Sequence, residues 1–146
     1  MAATLLELVI PASVSIVVAC GTVIATNAYN KRSERKRIIT EKKDFLFSLH
    51  MELLSHIDNL KDKTLKGSAD TTNYAVENLN AKNNLTLKIK MLTRLYFSSL
   101  DENYIEVFSR IDHIFLLEIN GISAQLDDYM LASSHMDEIS NIILEI

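Results

Sequence analysis

Residues that end or bend helices are scarce in this sequence, which has three glycines and one proline among 146 residues. A chain with so few turn-forming residues is expected to form a small number of long helices. Valine and isoleucine are frequent, but no run alternates apolar and polar residues between turns, as a strand would. We therefore predict an all-α fold.

The same scarcity limits the chemistry that the chain can perform. No Gly-rich loop could cradle phosphates, and no serine lies in a GxSxG elbow. Cys20 is the only cysteine, which excludes an internal disulfide. Glu52 and His56 are one helical turn apart, but no second such pair supports a metal site. We interpret all four histidines as surface or helix-capping residues: His50, His56, His113 and His135. We expect no catalytic residue, no metal and no cofactor, and hence no enzyme.

Charged residues are absent from one long stretch. The segment from Val9 to Tyr29 reads VIPASVSIVVACGTVIATNAY, 21 residues without a charge. About 20 apolar residues in a helix cross the roughly 30 Å hydrocarbon core of a bilayer. The KRSERKR segment that follows has five basic residues and one acidic residue, so the positive-inside rule places the carboxyl-terminal side in the cytoplasm. A secretory signal would carry its positive charge before the apolar run, so we predict a retained anchor.

The predicted anchor divides the chain into four segments. Residues 1–8 form a short extracytoplasmic stub, residues 9–29 the transmembrane helix, and residues 30–40 a basic juxtamembrane collar. Residues 41–146 form a cytoplasmic helical domain, long enough for one small domain but not for two. The N-terminus is expected to lie outside the membrane.

Small side chains recur at helical spacing within the predicted span. Separated by three and four residues in turn, they are Ala12, Ser15, Ala19, Thr22 and Thr26. Such a stripe lets transmembrane helices approach closely, which indicates an interface between copies of the chain in a homo-oligomer. Two alternatives stay open: the hydroxyl groups line a gated pore, or the spacing is a coincidence in a helix rich in these residues.

Hydrophobic spacing predicts the first two helices of the domain. Four apolar residues recur every seven positions: Ile39, Leu46, Leu53 and Leu60. No glycine or proline interrupts residues 31–66, so one long amphipathic helix should continue from the span and end in a loop at Gly67. A second helix is predicted from about Asn73 to Ser98. Most of its surface is expected to be apolar and buried, through Leu85, Leu87, Ile89, Met91, Leu92, Leu95 and Tyr96.

Two further helices are predicted beyond this point. Ser99 and Glu102 have the spacing of a capping box, which predicts the start of the third helix. Its apolar face is expected to contain Ile105, Phe108, Ile111, Phe115 and Ile119. A last helical stretch after Gly121 should present Ile122, Leu126, Met130, Ile139, Ile142, Ile143 and Ile146. Ser133 and Ser134 could restart it as a separate short helix.

Acidic residues dominate the C-terminal third of the chain. Residues 41–96 contain nine basic and seven acidic residues, whereas residues 97–146 contain one basic residue, Arg110, and ten acidic ones. This acidic third would repel a phosphate backbone, so we do not expect duplex nucleic acid as a partner. A small anionic ligand held by the middle third is compatible with the charge distribution.

One face of the predicted second helix combines cations, hydroxyl groups and an aromatic ring. It contains Thr86, Lys90, Thr93, Arg94 and Phe97. Two cations one turn apart can bind phosphate oxygens, and the ring can stack on a base. These residues are therefore the candidate ligand-binding site, which copies in an oligomer could assemble around one axis. The alternative is an ordinary exposed face, on which Lys90 or Arg94 pairs with acidic residues of the 97–146 region.

The layout of one N-terminal span, a basic collar and a small Gly-poor helical domain resembles the membrane-anchored effectors of prokaryotic antiviral defence. It is most similar to type III CRISPR accessory proteins gated by cyclic oligoadenylate. The resemblance covers the architecture of the whole chain but no specific motif, so it transfers no functional residue. It implies a tetrameric cytoplasmic domain that binds cyclic oligoadenylate and thereby perturbs the span and opens the prokaryotic inner membrane.

Two other functions fit the same layout. A membrane-tethered interaction module would recruit a protein partner by helix-in-groove packing and would bind no nucleotide. A phage holin-like or lysis-regulating protein also needs a span, although holin layouts place most of their length in the membrane. The expected partners are the lipid bilayer, further copies of the chain and, for the effector, a cyclic nucleotide.

Overall fold

Helices account for nearly all of the structure. The computed structural model describes the backbone of residues 2–67 and 70–146 and the side chains of residues 21–67 and 70–146. Within these residues four α-helices follow one another: α1 (Ala2–Leu65), α2 (Thr71–Tyr96), α3 (Asp101–Ile119) and α4 (Leu126–Glu145). A 3-10 turn, Ser98–Leu100, separates α2 from α3. The predicted all-α fold is confirmed.

The chain divides into two compact units, Met1–Thr40 and Glu41–Ile146. In the first unit every side chain described from 21 to 37 is exposed, including the large apolar side chains of Val23 and Ile24. The predicted span begins at residue 9, so the side chains of its residues 9–20 lie outside those that the structure describes. Among the described residues, no helix has a stretch both long and apolar enough to cross a membrane.

Three of the four predicted heptad positions of α1 supply one side of the core of the second unit, whereas Ile39, in the first unit, is exposed. The residues buried along this face are Leu46, Leu49, Leu53, Ile57 and Leu60, as their spacing predicts. Helix α3 packs against both α2 and α4. The ring of His50 on α1 contacts Tyr104 on α3 and Met136 on α4, so side chains of α1 also reach the later helices. The apolar face of α1 is therefore used within its own chain rather than in a coiled coil with another copy.

Glycine sets the end of α3. Gly121 has a φ of +71°, its N–H donates to the Glu118 carbonyl at 3.1 Å, and the Ile122 N–H donates to the Leu117 carbonyl at 2.9 Å. These two bonds form a Schellman motif, which satisfies carbonyls that the helix end would otherwise leave free. A residue with a Cβ would be strained at this φ, so the helix ends where the sequence contains glycine.

The predicted capping box at the start of α3 is wrong. The helix begins one residue later than the box requires, after Leu100, and its N-cap makes no side-chain hydrogen bond. Phe97 and Leu100 are both buried, and the 3-10 turn that brings them into the core displaces the helix start. A carboxylate at the third helical position, Asp128, instead caps α4 by accepting from the Gln125 N–H at 3.3 Å.

The predicted faces of the last two helices are partly wrong. Helix α4 runs without interruption through Ser133 and Ser134, so no separate short helix forms. Its buried residues are Tyr129, Ala132, Met136, Ile139 and Ile143. Residues expected in the core but found exposed are Ile105, Ile122, Leu126, Met130 and Ile146. These buried residues recur at alternating spacings of three and four, so Ile139 and Ile143 lie on the buried face as predicted, whereas Leu126 and Met130 lie off it.

A buried carboxylate joins elements at one end of the domain. Glu118 on α3 is 2% exposed, and its Oε1 accepts from the Thr64 hydroxyl at 3.1 Å, the Tyr129 hydroxyl at 2.9 Å and the Ala124 N–H at 2.8 Å. Burial raises the pKa of Tyr129, so this hydroxyl keeps the proton that it donates. One side chain thus connects α1, α3, α4 and the turn before α4.

Replacing Glu118 with alanine should lower the free energy of unfolding by about 2–4 kcal/mol, because the Ala124 N–H and the Tyr129 hydroxyl lose their buried acceptor. Urea unfolding of the full chain, followed by near-UV circular dichroism of the tyrosines, measures this change. The exposed Glu102→Ala serves as the control and should change stability by less than about 0.5 kcal/mol. An equal loss of unfolding free energy in the two variants would show that the Glu118 hydrogen bonds do not contribute to stability.

Candidate functional site

Three of the five residues of the predicted ligand site contact α3, namely Lys90, Thr93 and Arg94. Thr86, Thr93 and Phe97 are buried, which corrects the expectation that this face is accessible. The hydroxyl of Thr93 donates to Asp101 Oδ1 at 3.1 Å, so it is already paired within the chain. Three of the five candidate residues are therefore structural in this fold.

The two cations of the predicted site also have partners in α3. The Lys90 Nζ lies over the Phe108 ring, 5.2 Å from its centroid. Arg94 Nε lies 3.6 Å from Asp101 Oδ2, although the Arg94 side chain remains 70% exposed. The alternative interpretation, an ordinary surface rather than a ligand site, expects this pairing of Arg94 with an acidic residue of the 97–146 region. The nucleotide-binding role of these residues stays a prediction.

A second lysine is buried in the same contact. Lys82 is 3% exposed, and its Nζ forms an ion pair with Asp112 on α3 and lies 5.4 Å from the centroid of the Phe115 ring. A buried ammonium group is tolerated only when it is paired, so Lys82 must face α3. Its partner lies 30 residues away in sequence, and no local pattern in α2 signals the pairing.

The opposite face of α2 carries a row of exposed apolar side chains, here called the α2 row. It consists of Leu87, Met91 and Leu95, which are 58%, 56% and 70% exposed. Residues four apart lie on one face of a helix, so the three side chains are neighbours. All three were expected in the core, and their exposure follows from the direction that Lys82 imposes on α2. Lys88 and Arg94 lie beside the row and are also exposed.

A histidine forms the centre of a buried polar cluster in the bundle. His50 is fully buried, with Nδ1 2.8 Å from the Tyr104 hydroxyl and Nε2 2.9 Å from both the Met136 carbonyl and the Ser140 hydroxyl. A carbonyl only accepts, so Nε2 carries the proton and Nδ1 accepts from Tyr104. This arrangement gives both nitrogens of a neutral His50 ring a hydrogen-bond partner. The interpretation of His50 as a surface or capping residue is wrong.

Burial lowers the pKa of His50 from 6.5 to about 4. The hydrogen bond to the Met136 carbonyl and the charge of Asp137 act in the opposite direction but are the smaller effects. Burial likewise raises the pKa of Tyr104, so its hydroxyl remains a donor to the ring. Burial therefore favours the neutral form of His50 in this cluster.

One groove on α3 contains an ion pair between two of its lining residues, Arg110 and Glu106. A groove of about 380 Å³ is lined by Glu106, Ser109, Arg110, His113 and Asp128. Arg110 donates to Glu106 at 2.9 Å, and this hydrogen bond lowers the pKa of Glu106. Across the described residues, no group of three or more His, Cys, Asp or Glu side chains is placed to hold a metal ion.

The predicted transmembrane stripe is only partly described. The side chains of Ala12, Ser15 and Ala19 lie outside the described set, whereas Thr22 and Thr26 are exposed. The role of this stripe as an oligomer interface or a pore lining stays a prediction.

Comparisons with protein-family models, with curated proteins and with solved structures give no match to this chain. Function is therefore inferred from the residues themselves. Among the described residues of the second unit, the α2 row is an exposed apolar feature, whereas Lys90 and Thr93 on the other side of α2 contact α3.

Lowering the pH from 6.5 to 4 should reduce the free energy of unfolding through His50. Its pKa is lower in the folded than in the unfolded chain, so the unfolded chain binds the proton first and stability falls as the pH falls. The shift corresponds to about 3 kcal/mol over this range. Urea unfolding of the full chain at several pH values, with wild type and His50→Gln, measures the effect.

The His50→Gln variant should show a flatter dependence on pH, whatever its absolute stability. His113→Gln, at an exposed position, is the matched control and should keep the slope of the wild type. The same slope in all three proteins would show that His50 is not the group that titrates.

Proposed function

We propose that this chain is a non-catalytic, membrane-tethered interaction protein whose helical domain binds another protein through the α2 row. The observation that carries this proposal is the exposure of Leu87, Met91 and Leu95 on one helical face. Covering a side chain of this size is worth roughly 1.5–3 kcal/mol relative to leaving it exposed. Contiguous exposed apolar side chains rimmed by charge are typical of protein–protein contacts.

The membrane tether is supported by the sequence of the first unit. Val9 to Tyr29 is uncharged, and the basic collar follows it directly. Val23, Ile24 and Tyr29 are exposed, which is compatible with a contact to lipid or to another copy. We place the N-terminus outside and the helical domain in the cytoplasm of a prokaryotic cell.

An interaction module fits the geometry better than a nucleotide-gated effector. The effector needs an accessible anion site, but Thr86, Thr93 and Phe97 are in the core. Lys88 and Arg94 are exposed beside the α2 row, where they suit a partner with an acidic rim. Gating by cyclic oligoadenylate therefore remains a prediction from the layout.

Lysine at both Val14 and Val18 should release the full chain from membranes during alkaline carbonate extraction. Each lysine near the centre of a membrane helix costs roughly 2.5–3.5 kcal/mol. The Val14→Leu, Val18→Leu variant keeps the apolar character and should stay in the membrane pellet. Equal retention of the lysine and leucine variants would contradict an anchor in this segment.

A cysteine introduced at Met91 should react slowly with a maleimide in native membranes and quickly after dilution in detergent, because a bound protein covers the α2 row. The full chain carries Cys20→Ser, so the introduced thiol is the one that reacts. Asp62→Cys, at an exposed position on α1, controls for access and should react equally fast in both conditions. Fast labelling of Met91→Cys in membranes would exclude the proposed contact.

A further inference from the structure

We propose that the protein that covers the α2 row is a second copy of this chain, which contributes the outer face of its α4. This inference rests on the proposed function, because it names the partner of the same surface. It differs from the stripe predicted in the span, since both faces belong to the helical domain. The contact is head-to-tail: the α2 of one copy meets the α4 of the next.

The outer face of α4 is apolar and acidic. Leu126 and Met130 are exposed one turn apart, and Leu144 is exposed on the same side of the helix. The five charged residues of α4 are all acidic: Asp127, Asp128, Asp137, Glu138 and Glu145. Asp128 caps its own helix, whereas Asp127 and Asp137 are exposed beside Leu126 and Met130.

The outer face of α2 has the complementary charge. Helix α2 has four basic residues and one acidic residue, Glu77. Lys82 and Lys90 point towards the rings of α3, whereas Lys88 is exposed and Arg94 is 70% exposed, with its Nε 3.6 Å from Asp101 Oδ2. The α2 row, with its two cations, can therefore pack against the outer face of α4, with its two carboxylates. Such matching favours the correct partner more than it adds raw affinity.

Charge also argues against a contact between identical faces. Two α2 rows packed together would place Lys88 and Arg94 of both copies along one seam, and two α4 faces would do the same with Asp127 and Asp137. Like charges in a contact are unfavourable. A heterologous contact avoids this repulsion and forms a ring if the rotation between copies closes. Copies anchored in one membrane also have a raised effective concentration, so a modest contact suffices.

Cysteine cross-linking in membranes tests this arrangement. Two full chains of different tag length, both carrying Cys20→Ser, are co-expressed with Met91→Cys in one and Met130→Cys in the other. A short bismaleimide should yield the mixed 91–130 product several-fold more abundantly than the 91–91 or 130–130 product. Lys88→Glu with Arg94→Glu in the first chain should lower the mixed yield several-fold, and Asp127→Lys with Asp137→Lys in the second should restore it.

Each outcome is decisive. A dominant mixed product with charge rescue supports the head-to-tail contact. Predominant 91–91 product, or a mixed product insensitive to charge reversal, overturns it. Absence of all cross-links overturns self-association, and protection of Met91→Cys from maleimide in the same membranes would then show that a different protein covers the α2 row.

Discussion

The burial of Lys82 decides which way α2 faces, and the exposed surface of the domain follows from that choice. Its ammonium group contacts Asp112 and the Phe115 ring, with 3% of the residue exposed. Rotating α2 to bury the α2 row would separate this pair and leave the ammonium group of Lys82 without its partner. The same rotation would expose Leu85, Ile89 and Leu92, which are buried now, so covering the row would bring little net gain. The ion pair therefore favours the orientation of α2 in which the row is exposed.

Two other buried polar groups give the bundle its specificity. Glu118 accepts three hydrogen bonds near the ends of α1 and α3, and His50 joins α1 to α3 and α4. A slip of one residue in any of these helices would leave a buried donor without an acceptor, at about 1–3 kcal/mol for each group. Apolar contacts alone tolerate such slips better, because leucine and isoleucine can repack.

Sequence patterns predicted where the helices lie. They identified the buried face of some helices but not of others. The spacing from Leu46 to Leu60 located the buried face of α1, because a single apolar stripe leaves one choice. Helices α2 and α4 have apolar residues on most of their circumference, so periodicity alone could not identify the buried side.

The same ambiguity about which side of a helix is buried affects the candidate ligand-binding site. The sequence assigns Lys90 and Thr93 to a ligand-binding face because cations and hydroxyl groups on one side of a helix can bind phosphate oxygens. Their partners in α3, Phe108 and Asp101, belong to a different helix, and single-helix patterns carry no information about such pairs. His50 was missed for the same reason, because Tyr104 and Met136 are far away in the sequence.

A small apolar row such as the α2 row can support binding when the protein that carries it is confined to a membrane surface. Three apolar side chains and two cations cover far less than the roughly 800 Å² per partner of a stable complex. In solution such a contact would be transient, since association must first overcome the loss of translational and rotational freedom. The proposed membrane anchor would remove part of that loss beforehand, because neighbouring copies would share a plane and a direction. In the proposed assembly, the charge difference between α2 and α4 would select the pairing, and the modest contact would keep the association reversible.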